Sequence, residues 1–433
     1  MSDTAASGQY RNPLERLVQV GHGEWPRFLL AFTYFFFLLG GYFMLRPMRG
    51  TVAANNYQIL HLLYTATFVC MLLIVPVFGF LVARFRRGVF IPASYLFFIV
   101  QLALFAWGFH GNQPALWVQR VFYVWLSVFN LFVVSVFWSF MADIFRPGQA
   151  QRLFGSIMAG GSLGAMAGPL VTARLVEPIG ASGVMIMSLA CLLVATVMAV
   201  VLGRYERRSP GRTAEQVIGG RILEGAVQVF RSPYLLLICL LMLTHNLVST
   251  FLYNGLAVLV DQGITGFEQR TEFFSYVDLA VQVLAFVLQF FITSRLVNRL
   301  GMPRAAVIPP LLLAGGFMIL GSAMGLVLFA AIQVAQRSLN YGMLGPIKEM
   351  LFTVVDRETK YKSKNFIDTV VYRGSDVTAS WLFKGWMLTG WPMASITLLY
   401  LPIMAIWGVA AWRLGRRYLG LRIGAGEAGS SSG

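Results

Sequence analysis

The 433-residue chain is 57% hydrophobic and only 12% charged, with a formal net charge of +16. About a quarter of the residues of a soluble globular domain are charged, so the composition excludes that class and points to a chain embedded in lipid. The positive excess raises nucleic acid as a partner. However, the basic residues lie in tails and alternate loops, and no basic face is interleaved with stacking aromatics, which argues against nucleic-acid binding.

Residues 1–27 are polar and too long ahead of the first apolar run for a signal peptide; they read as a cytoplasmic tail. Six apolar runs follow, at about 28–50, 57–83, 89–110, 115–144, 152–177 and 181–203. The longest polar interruption, 204–232, reads as a cytoplasmic linker. Six more runs come after it, at about 233–259, 272–296, 304–324, 325–352, 362–387 and 393–413. Residues 414–433, ending in GAGEAGSSSG, read as a flexible cytoplasmic tail. Each run approaches the ~20 residues that cross a bilayer as a helix, and none alternates like a barrel strand. The expected fold is an all-α polytopic membrane protein of twelve transmembrane helices, with six-helix bundles at 28–203 and 233–413.

Of the 34 Lys and Arg residues, 25 fall in the tails and in the loops on one side of such a chain. The positive-inside rule then puts both termini in the cytoplasm, and basic loops of this kind also attract anionic lipid heads. Cys70, Cys191 and Cys239 all lie within spans and read as packing residues. The four histidines lack metal-ligand spacing, so neither a metal nor a cofactor is expected. No nucleophile–base constellation is present, and the chain does not read as an enzyme.

Charge inside a span is costly and marks function or a partner. The charges that stand out in the interior are seven basic groups, at 46, 49, 120, 337, 348, 373 and 384, and four acidic ones, at 278, 349, 368 and 376. Arg46 and Arg49 stand i, i+3 on the first span, and Arg337 and Asn340 do the same on the tenth. With Asn130, His245, Asn246 and Arg373 they form the candidate substrate-binding set, since guanidinium forks suit phosphate and carboxylate. Asp143, Arg146, Arg152, Lys348, Glu349, Asp368 and Asp376 form the candidate gating and coupling set. Structural roles compete with both. Arg46, Arg49, Arg120 and Lys384 can snorkel to an interface, Arg373 and Asp376 can neutralise each other, and a lone His245 can simply pack. Lys348 and Glu349 diverge around the helix, so each needs a partner elsewhere. Gly160, Gly164 and Gly168 make a stripe suited to close helix packing.

The loop Gly79-Phe-Leu81-Val-Ala-Arg84-Phe-Arg86-Arg87 is similar to the signature G-x-L-x-D-R-x-G-R-R of the major facilitator superfamily, with Ala83 at the acidic position. A second copy after span eight keeps Leu296, Arg299 and Gly301, with Asn298 at the acidic position. Gly155, Gly164, Gly168 and Pro169 resemble part of that superfamily's antiporter signature. The stretch from Lys348-Glu349 through Lys360-Tyr-Lys362-Ser-Lys364 and Ile367-Asp368 to Arg373-Gly374-Ser375 resembles the ATP/ADP translocase-type nucleotide transporters. So do MLRPMRG at 44–50 and HNLV at 245–248. Where that family carries lysine and aspartate on span one, this chain has Arg49 and Gly50, and its span-seven glutamate falls on Ser249.

The resemblance implies a monomeric secondary transporter of the bacterial inner membrane. It would move a nucleotide or another phosphorylated or carboxylated anion by alternating access and by exchange, with membrane lipid as its other partner. The runners-up are transport of an amphipathic drug, siderophore or lipid-like compound, and a non-transporting membrane sensor on the same scaffold.

Overall fold

The computed structural model describes residues 20–21, 23–84, 87–111, 114–206 and 222–430. Arg11, Arg16 and Arg86 of the basic pattern, and most of the linker, lie outside the described residues. Among the described residues the regular structure is helical throughout, which in lipid keeps every backbone hydrogen bond within its own segment. In chain order the helices are α1 (Trp25–Asn55), α2 (Leu60–Arg84), α3 (Arg87–Gly108), α4 (Leu116–Ile144) and α5 (Pro147–Glu206). They continue with α6 (Ile222–Arg231), α7 (Pro233–Gly263), α8 (Phe267–Val287), α9 (Ser294–Leu300) and α10 (Met302–Ser322). The last are α11 (Leu326–Leu339), α12 (Gly345–Leu351), α13 (Arg357–Phe366), α14 (Tyr372–Leu388), α15 (Met393–Leu398) and α16 (Leu401–Ser430).

Nine described helical segments are long and apolar enough to cross a membrane. One of them, α5, breaks into two crossings at Gly180, whose φ of 71° belongs to the left-handed region where glycine escapes the Cβ clash. That break falls between the runs expected at 152–177 and 181–203. Two further crossings are assembled from pieces: α11 and α12 flank a π-helical turn at Asn340–Leu344, and α13 and α14 flank another at Ile367–Val371. A third wide turn, Leu288–Thr293, joins α8 to α9. With these the fold has the twelve crossings the apolar runs imply. The last helix continues to Ser430, past the end expected at 413 and through the segment read as a flexible tail.

Contacts group the chain into two compact units, which exchange short segments relative to the sequence halves. The first comprises Met1–Val52, Val69–Ala214 and Thr265–Leu279; the second comprises Ala53–Phe68, Glu215–Ile264 and Ala280–Gly433.

In the first unit, α1 and the first half of α5 run in parallel, touching every fourth residue. A Cβ on Gly160 would lie 2.7 Å from the Phe32 carbonyl oxygen, and one on Gly168 would lie 2.5 Å from that of Gly40. Gly164 sits tighter still, against the carbonyl of Phe36. Thr172 extends the register by donating to the Met44 carbonyl at 3.1 Å. Small residues are what permit this backbone-to-backbone approach. Beside the seam, Phe35 stacks on Phe137 with ring centroids 4.1 Å apart, and the buried hydroxyls of Tyr34 and Tyr95 meet.

In the second unit, α7 and α14 also run in parallel with a four-residue repeat, but side chains join them. Asn246 Nδ2 donates to the Tyr372 carbonyl at 3.0 Å and to Ser375 Oγ at 2.8 Å. Thr250 Oγ1 donates to Asp376 Oδ1 at 3.4 Å, and Asn254 Nδ2 to Ser380 Oγ at 3.1 Å. The wide turns of this unit meet as well, with Thr293 Oγ1 donating to the Gly342 carbonyl at 2.6 Å. Gly342 is fixed by that approach, since a Cβ there would lie 2.6 Å from Leu288 Cβ.

Candidate functional site

Each unit presents its own share of the candidate residues. In the first, Arg46 lies on the half of α1 that packs against the exchanged start of α8. Its Nη1 stands 4.0 Å from Oδ1 of Asp278, a residue 4% exposed. One turn further along, a Cβ on Gly50 would fall 2.7 Å from the Phe274 ring. The hydroxyls of Thr51 and Thr271 meet at 2.8 Å, both buried. Asp278, Phe274 and Thr271 share one face of α8 by their i, i+4 and i+3 spacing. Asp278 is thus the partner of Arg46, and Gly50 is a place where the neighbouring ring leaves no room for an acidic side chain.

Arg49 is half-buried, with its guanidinium carbon 4.0 Å from the centroid of the Tyr123 ring. That is a cation–π contact between α1 and α4, which leaves the planar fork oriented by an aromatic face. Asn130 is half-buried further along α4, Asp143 half-buried in its last turn, and Arg146 exposed just beyond. Arg120 is exposed at the start of α4.

Arg152 belongs to the candidate gating and coupling set. In this structure its Nη2 donates to both carboxylate oxygens of Glu24, at 3.1 and 3.2 Å. Glu24 also accepts from Gln149 Nε2 at 2.7 Å and from the Gly21 backbone N–H at 2.8 Å. Burial pushes its carboxyl up, but Gly21, Gln149 and Arg152 together hold it below the ordinary value of 4.5. This clasp starts the α1–α5 seam about two helical turns ahead of the Gly160–Phe32 contact. Glu24 lay within the stretch read as a tail; an acid directly before an apolar helix, where the helix dipole favours negative charge, was the signal that could have found it.

In the second unit, Lys348 Nζ donates to Asp368 Oδ1 at 2.9 Å, and Lys364 Nζ to Glu349 at 2.7 Å. The adjacent Lys348 and Glu349 each find a partner across the basic loop, as their divergence around the helix requires. These two pairs tie α12 to α13 and to the wide turn after it. Arg373 and Asp376 lie 3.7 Å apart on α14. Arg337 and Asn340 are half-buried where α11 enters its wide turn.

Asn246 serves the α7–α14 ladder with its amide nitrogen. His245, 2% exposed, stands edge-on to Trp407 with ring centroids 5.3 Å apart. Its two ring nitrogens have no hydrogen-bond partner among the described residues. Gln333 and Gln336 on α11 are equally buried, and sequence reasoning missed both, along with Asn254. Among the described residues no group of three or more His, Cys, Asp or Glu side chains is placed to hold a metal ion.

The helices define an all-helical, multi-pass membrane protein, and the family match makes it a membrane transporter of the major facilitator type. The Major Facilitator Superfamily profile matches residues 19–349, and the chain belongs to that superfamily. A search of curated protein sequences returned no match. Among solved structures, the fold is similar to a bacterial homologue of the human lysosomal transporter Spinster, captured inward-facing and unoccupied. That likeness has a TM-score of 0.55 at 12% identity, over 95% of this chain and 98% of that one. The POT family transporter PepTSo aligns with a TM-score of 0.62 at 13% identity, over 91% and 98% of the two chains. The nucleoside transporter NupG, as its D323A mutant, gives 0.55 at 12% identity, over 91% and 99%. These likenesses establish the shared fold.

Proposed function

We propose that this transporter moves a small anionic solute, a nucleotide or another phosphorylated or carboxylated metabolite, by alternating access with exchange. What supports this reading is that basic residues outnumber acidic ones in the expected runs, with Arg46, Arg49, Arg337 and Arg373 among them. Burying net positive charge in a membrane is unfavourable unless an anion compensates it. Arg49 and Arg337 are the residues assigned to that anion, with Asn130, Asn340 and His245 as neutral hydrogen-bonding contacts.

The resemblance to ATP/ADP translocases supports a nucleotide. Gly50, crowded by Phe274, favours an anion held without that family's span-one acid. In this reading the protein is a monomer of the bacterial inner membrane with both termini in the cytoplasm, which the basic residues of alternate loops favour. Lys348, Glu349, Asp368 and Asp376 are the gating set on the basic side, because a solute entering there must pass the pairs that tie α12 to α13. A ligand drives such a gate only through different affinities for its open and closed states. Paired spin labels across the basic ends of α4 and α12 test this. Glu349→Gln and Asp368→Asn should shift the distance distribution toward the open state, and unchanged distributions in both would leave these charges to topology alone.

Uptake into proteoliposomes tests the substrate class. Labelled nucleotides, sugar phosphates and dicarboxylates are expected to accumulate where amphipathic cations and siderophores do not.

A further inference from the structure

In the second unit α10 and α16 run antiparallel. Near the basic end they touch, and a Cβ on Gly415 would lie 2.5 Å from Pro303 Cα. Two turns on, at Gly408, they part, and a Cβ there would lie 4.0 Å from Pro310 Cγ. Between these helices lies a groove of about 570 Å³, walled by Pro310, Leu311 and Met318 on one side and Gly408, Trp412 and Arg413 on the other. Its lining runs from Leu401 to Arg413 along α16, roughly 18 Å at ~1.5 Å per helical residue. That is close to the depth of one leaflet, half of a hydrocarbon core of about 30 Å. Arg413 is the one charged residue in the lining and sits at the end nearest the basic loops. Arg416 and Arg417 are exposed on the next turn, and Arg304 is exposed at the start of α10.

We propose that this groove is a binding site for an anionic phospholipid of the leaflet on the basic side. The acyl chain lies along Pro310, Leu311 and Gly408, and the phosphate meets the Arg413 guanidinium. An apolar slot alone would accept the tail of any lipid. The guanidinium at its mouth selects for the head, because its fork pairs bidentately with phosphate and stays charged at any physiological pH. Arg416, Arg417 and Arg304 add the local positive potential that concentrates acidic heads. The proposal does not depend on which solute is transported.

The test uses the purified full-length protein in detergent, with thermal unfolding followed as phosphatidylglycerol or phosphatidylcholine of the same chains is added. A lipid that binds the folded state raises the midpoint. Phosphatidylglycerol should raise it more than phosphatidylcholine, and Arg413→Gln should remove the difference. Gly408→Leu, which has room for its Cβ, should fill the slot and abolish the shift from phosphatidylglycerol while leaving a folded protein. Equal shifts from the two lipids would overturn the proposal in favour of an unselective lipid coat. So would a phosphatidylglycerol shift that survives in both variants.

Discussion

Helices α1 and α5 and their counterparts six crossings later, α7 and α14, lie side by side in parallel with the same four-residue repeat, yet opposite chemistry joins them. In the first pair glycines bring backbone onto backbone, and the seam is closed at its basic end by the Glu24–Arg152 clasp. In the second pair Asn246, Thr250 and Asn254 reach across to Ser375, Asp376 and Ser380. The difference teaches that the fold repeats geometry without repeating the means of holding it. A glycine seam tolerates no side chain and leaves no polar atom to satisfy. A polar ladder tolerates change rung by rung, but it leaves Oδ1 of both Asn246 and Asn254 buried without a hydrogen-bond partner among the described residues. The three π-helical turns among the described residues all lie in the second half, a feature that frequently marks functional sites in helices, and Asn340 and Asp368 lie within two of them.

The sharpest way to break this comparison is steric. Gly164→Leu would drive a side chain into the Phe36 carbonyl. It should cost at least the ~1–3 kcal/mol typical of overpacking, read as a large fall in the thermal midpoint or loss of the monodisperse protein. Gly155→Ala, where a Cβ would meet nothing within 4 Å, should be close to neutral in the same assay. A similar loss in both would remove the distinction between seam and surface glycine.

The ladder should respond more gently. Asn246→Ala removes two donated bonds. Interhelical polar contacts in membranes are worth about 0.6 kcal/mol on average and about 1.7 at most, so a midpoint shift well below that of Gly164→Leu is expected. A shift as large as the glycine variant's would mean that the ladder, too, is a rigid seam.

The clasp gives the smallest effect and a pH signature. Because folding lowers the Glu24 carboxyl below 4.5, its contribution is fully present above the unfolded value and is lost as pH falls through the lower folded one. Unfolding measured from pH 7 downward should show wild type converging on Glu24→Gln only in that acidic window. A gap that persists at the acid end would assign the difference to something other than this charge.

The sequence made the crossings legible because lipid imposes a length and polarity on each one. Gly180 and Gly301 fell in expected turns because a positive φ there calls for glycine. The need of Lys348 and Glu349 for separate partners was legible from the divergence of neighbouring residues around a helix. What pairs across more than a hundred residues was not. Nothing local to Asn246 says that its amide meets Tyr372 and Ser375, and nothing local to Arg46 names Asp278. The wide turns at 288–293, 340–344 and 367–371 carry no residue signature of their own, since they arise from how neighbouring helices press together, as Thr293 and Gly342 do. Glu24 was hidden by its polar surroundings, and the exchange of residues 53–68 and 265–279 between units depends on tertiary contacts alone.

The most direct test of the central claim is anion flux through Arg49 and Arg337. Wild-type protein in proteoliposomes should accumulate a labelled nucleotide, sugar phosphate or dicarboxylate. Arg49→Gln and Arg337→Gln should each weaken uptake by tenfold or more, equivalent to ~1.4 kcal/mol or more of lost contact, with thermal midpoints unchanged. Undiminished uptake of the same anion by both variants would contradict the account.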